Sequence, residues 1–175
     1  ERKDYALLIS TSAGTWRYLI GDTIRFIDTK TCEIIITGRT KHFLSLVGEH
    51  LSVDNMNKAI QIATEKLNIS IPEFTVAGVP FGSFFAHEWY VACDDVVDTK
   101  ELKNIIDESL KKLNDDYAVE RKSALGEVFV HVLSENDFMH FMQQKGKMGG
   151  QHKFPRVLKG KILEEWKQFL QQKNK

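Results

Sequence analysis

The sequence predicts an α+β fold: a short antiparallel β meander, then a small mixed β-sheet covered by helices. Three observations carry this. The first part of the chain reads as short strands separated by polar turns. From Ser52 the apolar period becomes helical. Beyond residue 50, helices and strands alternate unevenly rather than in regular βα units.

Residues 5–10, "YALLIS", form an apolar run that predicts a buried strand. "TWRYLI" and "TIRFID" predict two further strands, with Gly21-Asp22 interrupting them and placing Asp22 at a strand end. "DTKT" is a polar turn before the strand "CEIIITG". "GRTKHFLSLVGEHLS", bounded by glycines, reads as a connector. Val53, Met56, Ile60, Ala63 and Leu67 then recur in three- and four-residue steps behind a Ser52 N-cap, which predicts an amphipathic helix. "FTVAGVPFG" and "FFAHEWYVACD" predict two strands around a Pro-Phe-Gly turn. "DTKELKNIIDESLKKLN" predicts a second helix, with Asp98 and Glu101 at capping-box spacing and Leu102, Ile105, Ile106, Leu110 and Leu113 on one face. "GEVFVHVL" predicts a strand. Ser134 opens a helix that runs through Lys145 and is stopped by Gly146. After the glycine-rich basic loop "GKMGGQHKFPRVLKG", a last helix starts near Gly160 and carries Ile162, Leu163, Trp166 and Leu170.

Composition narrows the function classes. The chain has 175 residues, 42% apolar and 27% charged, a soluble globular composition. Its 24 basic and 24 acidic side chains cancel, so global charge points to no nucleic acid and no anionic membrane. No apolar run approaches the ~20 residues of a membrane span. Cys32 and Cys93 have neither metal-ligand nor redox spacing and read as reduced, buried residues of a cytoplasmic protein. The start, "ERKDYALLIS", has no signal-peptide layout and begins mid-strand, as expected of a piece of a longer protein.

Three stretches can carry chemistry. Gly21-Asp22 is either a plain strand connection or an aspartate accepting hydrogen bonds from two neighbouring ribose hydroxyls, which its two oxygens suit. The connector "GRTKHFLSLVGEH", residues 38–50, is either a polar loop or an interdomain hinge. "GQHKFPR" is either a solvated basic loop or a lysine delivered to a phosphate, a role that suits a point charge on a flexible stem. The six histidines form no pair with metal spacing, and His131 reads as a sheet histidine. There is no Gly-Lys-Ser/Thr phosphate loop, dinucleotide fingerprint or nucleophile elbow.

Taken in order, these stretches resemble the acyl-adenylate-forming superfamily and, within it, the auxin-responsive acyl-acid amido synthetases of the Gretchen Hagen-three family. "AGTWRYLIGDTIRF" is similar to that family's Ala-Gly-x-aromatic-Arg-Tyr-x-x-Gly-Asp signature, through Ala13, Gly14, Trp16, Arg17, Tyr18, Gly21 and Asp22. Gly38, Arg39, Lys41, Leu44, Ser45 and Gly48 resemble its hinge motif, and "GGQHKFPRV" its closing Gln-x-Lys-x-Pro-Arg. The resemblance covers almost the whole chain. His50 stands where relatives usually carry lysine or arginine, and Leu19 where arginine is common.

The resemblance implies two parts: residues 1–42, the terminal strands of a large N-terminal adenylation domain with the start of the hinge, and residues 43–175, a C-terminal lid. It implies an ATP-dependent ligase that adenylates a small-molecule acid and passes the acyl group to an amino acid, giving an amide and AMP. ATP with Mg2+ would be bound mainly by the N-terminal domain, so this fragment alone is expected to be inactive. Asp22, Arg39 and His50 would contact the nucleotide, Lys41 would mark the pivot, and Lys153 would reach the phosphates as the catalytic residue. Two alternatives stand beside it: a ligase with a thiol acceptor such as coenzyme A, and a non-catalytic α+β binding module.

Overall fold

The computed structural model describes residues 3–39, 43–146 and 153–173, and among these it holds three sheets, of three, two and four strands, and five helices. The chain divides into two compact units, residues 1–43 with 52–54, and residues 44–51 with 55–175.

The first unit is a meander of β1 (Tyr5–Ile9), β2 (Tyr18–Asp28) and β3 (Glu33–Arg39), antiparallel in the order β1-β2-β3. Three sequence expectations change here. One strand, β2, runs through Gly21-Asp22, so Asp22 is not at a strand end; β2 also starts later than "TWRYLI" suggests, because Arg17 before it takes a left-handed backbone with φ +47°. Residues 5–10 are not buried: Tyr5 and Leu8 are about half exposed. A three-stranded sheet is too small to cover its own faces, so an apolar strand in it keeps surface in contact with solvent. Cys32 is exposed, because it sits in the β2–β3 turn with φ +55° rather than in a strand; Cys93 is buried as expected.

A two-stranded pairing of β4 (Phe43–Leu44) with β5 (Leu51–Ser52) follows, then α1 (Val53–Leu67). The second unit is built on a four-stranded mixed sheet in the order β8-β7-β6-β9. β6 (Phe74–Phe81) and β7 (Phe84–Ala92) are an antiparallel hairpin. α2 (Thr99–Leu113) and α3 (Asp115–Glu120) carry the chain over to β8 (Leu125–Leu133), parallel to β7. α4 (Glu135–Gln144) leads towards β9 (Val157–Leu158), parallel to β6 at the other edge, and α5 (Gly160–Lys173) ends the chain.

Period-two alternation gives this sheet two buried faces. Phe74 and Val76 of β6 with Trp89 and Val91 of β7 join Met56 and Ile60 of α1 and Leu102, Ile106 and Leu110 of α2 in one core. Their neighbours Ala77, Tyr90 and Ala92 face a second core with Phe138 and Phe141 of α4 and Trp166 of α5. Trp166 is fully buried, with the rings of Phe138, Phe141 and Phe154 5.0–5.2 Å away. Such large aromatic burial dominates core energetics. Asp98 caps α2 by accepting from the Lys100 N–H, but the box expected with Glu101 does not form among the described hydrogen bonds; the capping box is at Ser134, with Asp137.

Candidate nucleotide-contact site

The residues singled out by sequence fall into both units, and each unit has its own geometry. In the first, Ile20, Gly21 and Asp22 stand opposite the single residue Leu7 of β1. This surplus is a β-bulge, and Gly21 at φ +89° supplies a backbone that a side-chain-bearing residue enters only with strain. A bulge breaks the pleat and re-aims the side chain beside it. Asp22, half-buried, follows this bulge, and on its other edge it pairs with β3 just before a register shift between Thr23 and Ile24.

On that edge Asp22 is the direct ladder partner of Arg39, the last residue of β3. The next rung is Thr23 with Gly38, and the Thr37 hydroxyl donates to the Thr23 hydroxyl at 3.2 Å beside it. The fold thus brings together two of the sequence-predicted residues, from positions seventeen apart, on one stretch of ladder. Lys41 lies outside the described residues.

In the second unit, His50 is exposed and has φ +39°, a left-handed backbone uncommon for a residue with a side chain. Its carbonyl accepts a hydrogen bond from Asn114 Nδ2 at 3.3 Å, and Asn114 also caps α3 through the Tyr117 N–H. Beside it lies a residue that sequence reasoning passed over. Glu49 is fully buried and accepts from the Leu46 N–H at 2.9 Å, the Val47 N–H at 3.0 Å and His87 Nε2 at 2.9 Å. Burial works to raise its pKa, but the hydrogen bonds from His87, Val47 and Leu46 outweigh it and bring it down to about 2. Glu49 and His87 are far apart in sequence and follow no motif spacing, so no local signal marks them.

Lys153 is exposed and opens a segment pinned along the β6 edge. Phe154 is buried in the Trp166 core, and the Pro155 carbonyl accepts from the Thr75 hydroxyl at 2.7 Å. The Arg156 carbonyl accepts from the Val76 N–H at 3.0 Å. The Arg156 guanidinium pairs with Glu73, donates to the Phe74 carbonyl at 2.9 Å and lies 4.3 Å from the Phe74 ring centroid. The lysine stem is flexible, but its base is fixed. Gln151 and His152, at the start of the same motif, lie outside the described residues.

His50 and Lys153 are anchored on different elements, the α2–α3 junction and the β6 edge. Two clefts of about 290 and 410 Å³ lie elsewhere, along α4 and α5, and among the described side chains neither Asp22, His50 nor Lys153 lines them. Their charges are satisfied internally, Lys167 by Glu88 at 2.6 Å and Lys173 by Asp137 at 2.5 Å. Among the described residues no cluster of three His, Cys, Asp or Glu side chains is gathered as a metal would need, and no helix is long and apolar enough to cross a membrane.

The family model of the GH3 family C-terminal domain matches residues 54–161, and that of the GH3 family central domain matches residues 1–39. The chain belongs to the GH3 family. Among solved structures it is similar to "GH3.15 acyl acid amido synthetase", with a TM-score of 0.73 and 21% identity over 94% of this chain and 33% of that one. It is also similar to "AtGH3.15 acyl acid amido synthetase in complex with 2,4-DB", with a TM-score of 0.70 and 20% identity over 94% of this chain and 32% of that one. This GH3 chain therefore spans about a third of the length of the solved relatives it matches, and at these identities the likeness speaks for the fold. No curated protein matches the chain significantly. The α+β architecture expected from the sequence and the family resemblance both hold.

Proposed function

We propose that the chain is the C-terminal part of an ATP-dependent ligase that adenylates a carboxylic acid and transfers the acyl group to an amino acid. Family membership supports this, and one geometric observation carries it to residues: Asp22 and Arg39 are ladder partners beside a β-bulge at Gly21. In this reading the carboxylate oxygen of the acid attacks the α-phosphorus of ATP, the bond to the bridging oxygen breaks, and pyrophosphate leaves. The amine nitrogen then attacks the carbonyl carbon of the acyl-adenylate, loses a proton and expels AMP.

Asp22 would accept hydrogen bonds from the two ribose hydroxyls, and Arg39 would add positive charge near the nucleotide. Residues 43–175 would act as a lid that turns about a pivot at Lys41, between residues 1–42 and the rest. Lys153 would reach the phosphates in one lid orientation and stabilise charge as it develops on the leaving pyrophosphate. His50 would donate to a phosphate where relatives carry a fixed cation. Mg2+ would neutralise the triphosphate and would be held mainly by the N-terminal domain of the same protein. The 175 residues by themselves would then be inactive.

Product mass tests the reading. The full-length polypeptide is supplied with ATP, Mg2+ and a panel of carboxylic acids including 2,4-DB, with either mixed amino acids or coenzyme A. The expected products are an N-acyl amino acid and AMP. A thioester in place of the amide moves the acceptor to a thiol, and no AMP with any acid leaves the binding-module alternative.

A further inference from the structure

We propose that Glu49 and His87 form a latch that fastens the loop 44–51 to the sheet of the second unit and so positions His50; this rests on the nucleotide-contact reading of His50. The loop is attached at several points. Leu44 and Leu51, at its ends, are fully buried. Between them Leu46 lies directly on the sheet at Gly78, where an added Cβ would come within 2.4 Å of its Cδ1. Only glycine leaves room for that plug. Gly78 is the ladder partner of His87. The Glu49–His87 pair, at 2.9 Å and with both side chains fully buried, therefore closes beside the plug.

Glu49 does two jobs with one carboxylate. It gathers the Leu46 and Val47 N–H groups into a turn, and it ties that turn to β7 through His87. The next residue is His50, whose backbone is left-handed at φ +39° and whose carbonyl is held by Asn114. A side-chain-bearing residue keeps such a backbone only where its surroundings over-determine it. The latch on one side and Asn114 on the other supply that constraint.

Set against apolar groups of the same shape, the pair is better explained by position than by stability. Burying a charged carboxylate with its hydrogen-bond partner is often no better than burying apolar groups of the same shape, so it is weak evidence of stabilisation. Here the cost is raised further, because His87 Nδ1 is buried without a hydrogen-bond partner among the described residues. A latch that selects one geometry of the loop accounts for a pair kept at that cost.

The test uses the full-length polypeptide, with ATP binding measured by calorimetry and amide hydrogen exchange read at Leu46 and Val47. Glu49→Gln and His87→Leu are each expected to lose protection at those amides and to raise the Kd for ATP by about tenfold, the scale of one lost charged hydrogen bond. His87→Gln, which keeps a donor for Glu49, should restore both. In a double-mutant cycle His50→Ala with Glu49→Gln should bind ATP no worse than His50→Ala alone, because the latch acts through His50. Multiplying effects, or no rescue by His87→Gln, would overturn the proposal. Should Glu49→Gln not fold, Gly78→Ala displaces Leu46 without touching a charge and should give the same loss of protection and weaker binding; unchanged protection and binding there also overturn it. If the wild type binds no ATP, the nucleotide reading fails by itself. Exchange at Leu46 and Val47 then decides the anchoring alone: lost protection in Glu49→Gln supports it, and retained protection overturns it.

Discussion

Asp22 and Glu49 show how much a single residue owes to its neighbours. Asp22 is placed by Gly21, whose φ of +89° lets β2 bulge without leaving the ladder. A side chain at residue 21 would enter that conformation with strain, and Asp22 would lose its register before it lost its charge. Glu49 is placed by the groups it binds. Its pKa, about 2 in the fold against an ordinary 4.5, is depressed, so its contribution to stability is present above pH 4.5 and lost as pH falls toward 2. The shift corresponds to stabilisation on the order of 3 kcal/mol. Thermal midpoints of wild type and Glu49→Gln, taken from pH 7 down to pH 3, should therefore converge as the pH falls. Asp107, held below its ordinary range by hydrogen bonds from Arg121, Tyr117 and Lys111 that outweigh burial, loses stability in the same acid window. It does so in both proteins and cancels in the difference. A gap that stays constant with pH would mean the carboxylate is not held charged by this network.

At the scale of elements, legibility followed the length of the pattern. The stripe Val53, Met56, Ile60, Ala63 and Leu67 matches α1, and Ser134 with Gly146 brackets α4, because a dozen residues repeat the signal and the caps sit at its ends. α3 spans six residues, less than two turns, so no period marks it; its local signs are the Asn114 cap and the acidic Asp115 and Asp116 behind it. β4, β5 and β9 are two residues each and exist because partners elsewhere in the chain meet them. The Gly21-Asp22 interruption misled for the same reason. A turn and a bulge look alike locally, and only the β3 ladder separates them. The closing motif was legible as residues, but its anchoring was not: Glu73, Thr75 and Phe74 lie about eighty positions from the segment they hold. Arg156→Ala should cost about 1–3 kcal/mol, from the lost ion pair, carbonyl hydrogen bond and ring contact. It should also deprotect the Val76 amide in hydrogen exchange. A variant as stable as wild type, with Val76 still protected, would show that Phe154 and Thr75 hold the segment without it.

For the molecule as a whole, the functional account joins residues from both compact units. Asp22, proposed to meet the ribose, belongs to the meander, and Lys153, proposed to reach the phosphates, belongs to the second unit. The sequence carried this arrangement only as an order of motifs, Gly-Asp, then Gly-Arg, then Lys-x-Pro-Arg, because no physical pattern within one element links a strand near the start to a loop near the end. The solved relatives are about three times the length of this chain.

ATP–pyrophosphate exchange by the full-length polypeptide, run with an acid that yields amide, tests the central claim most directly. Asp22→Ala should raise the KM for ATP by about tenfold or more through lost charged hydrogen bonds, and Lys153→Ala should lower kcat by about a hundredfold with little change in KM. Exchange at the wild-type rate and wild-type KM in both variants would contradict it.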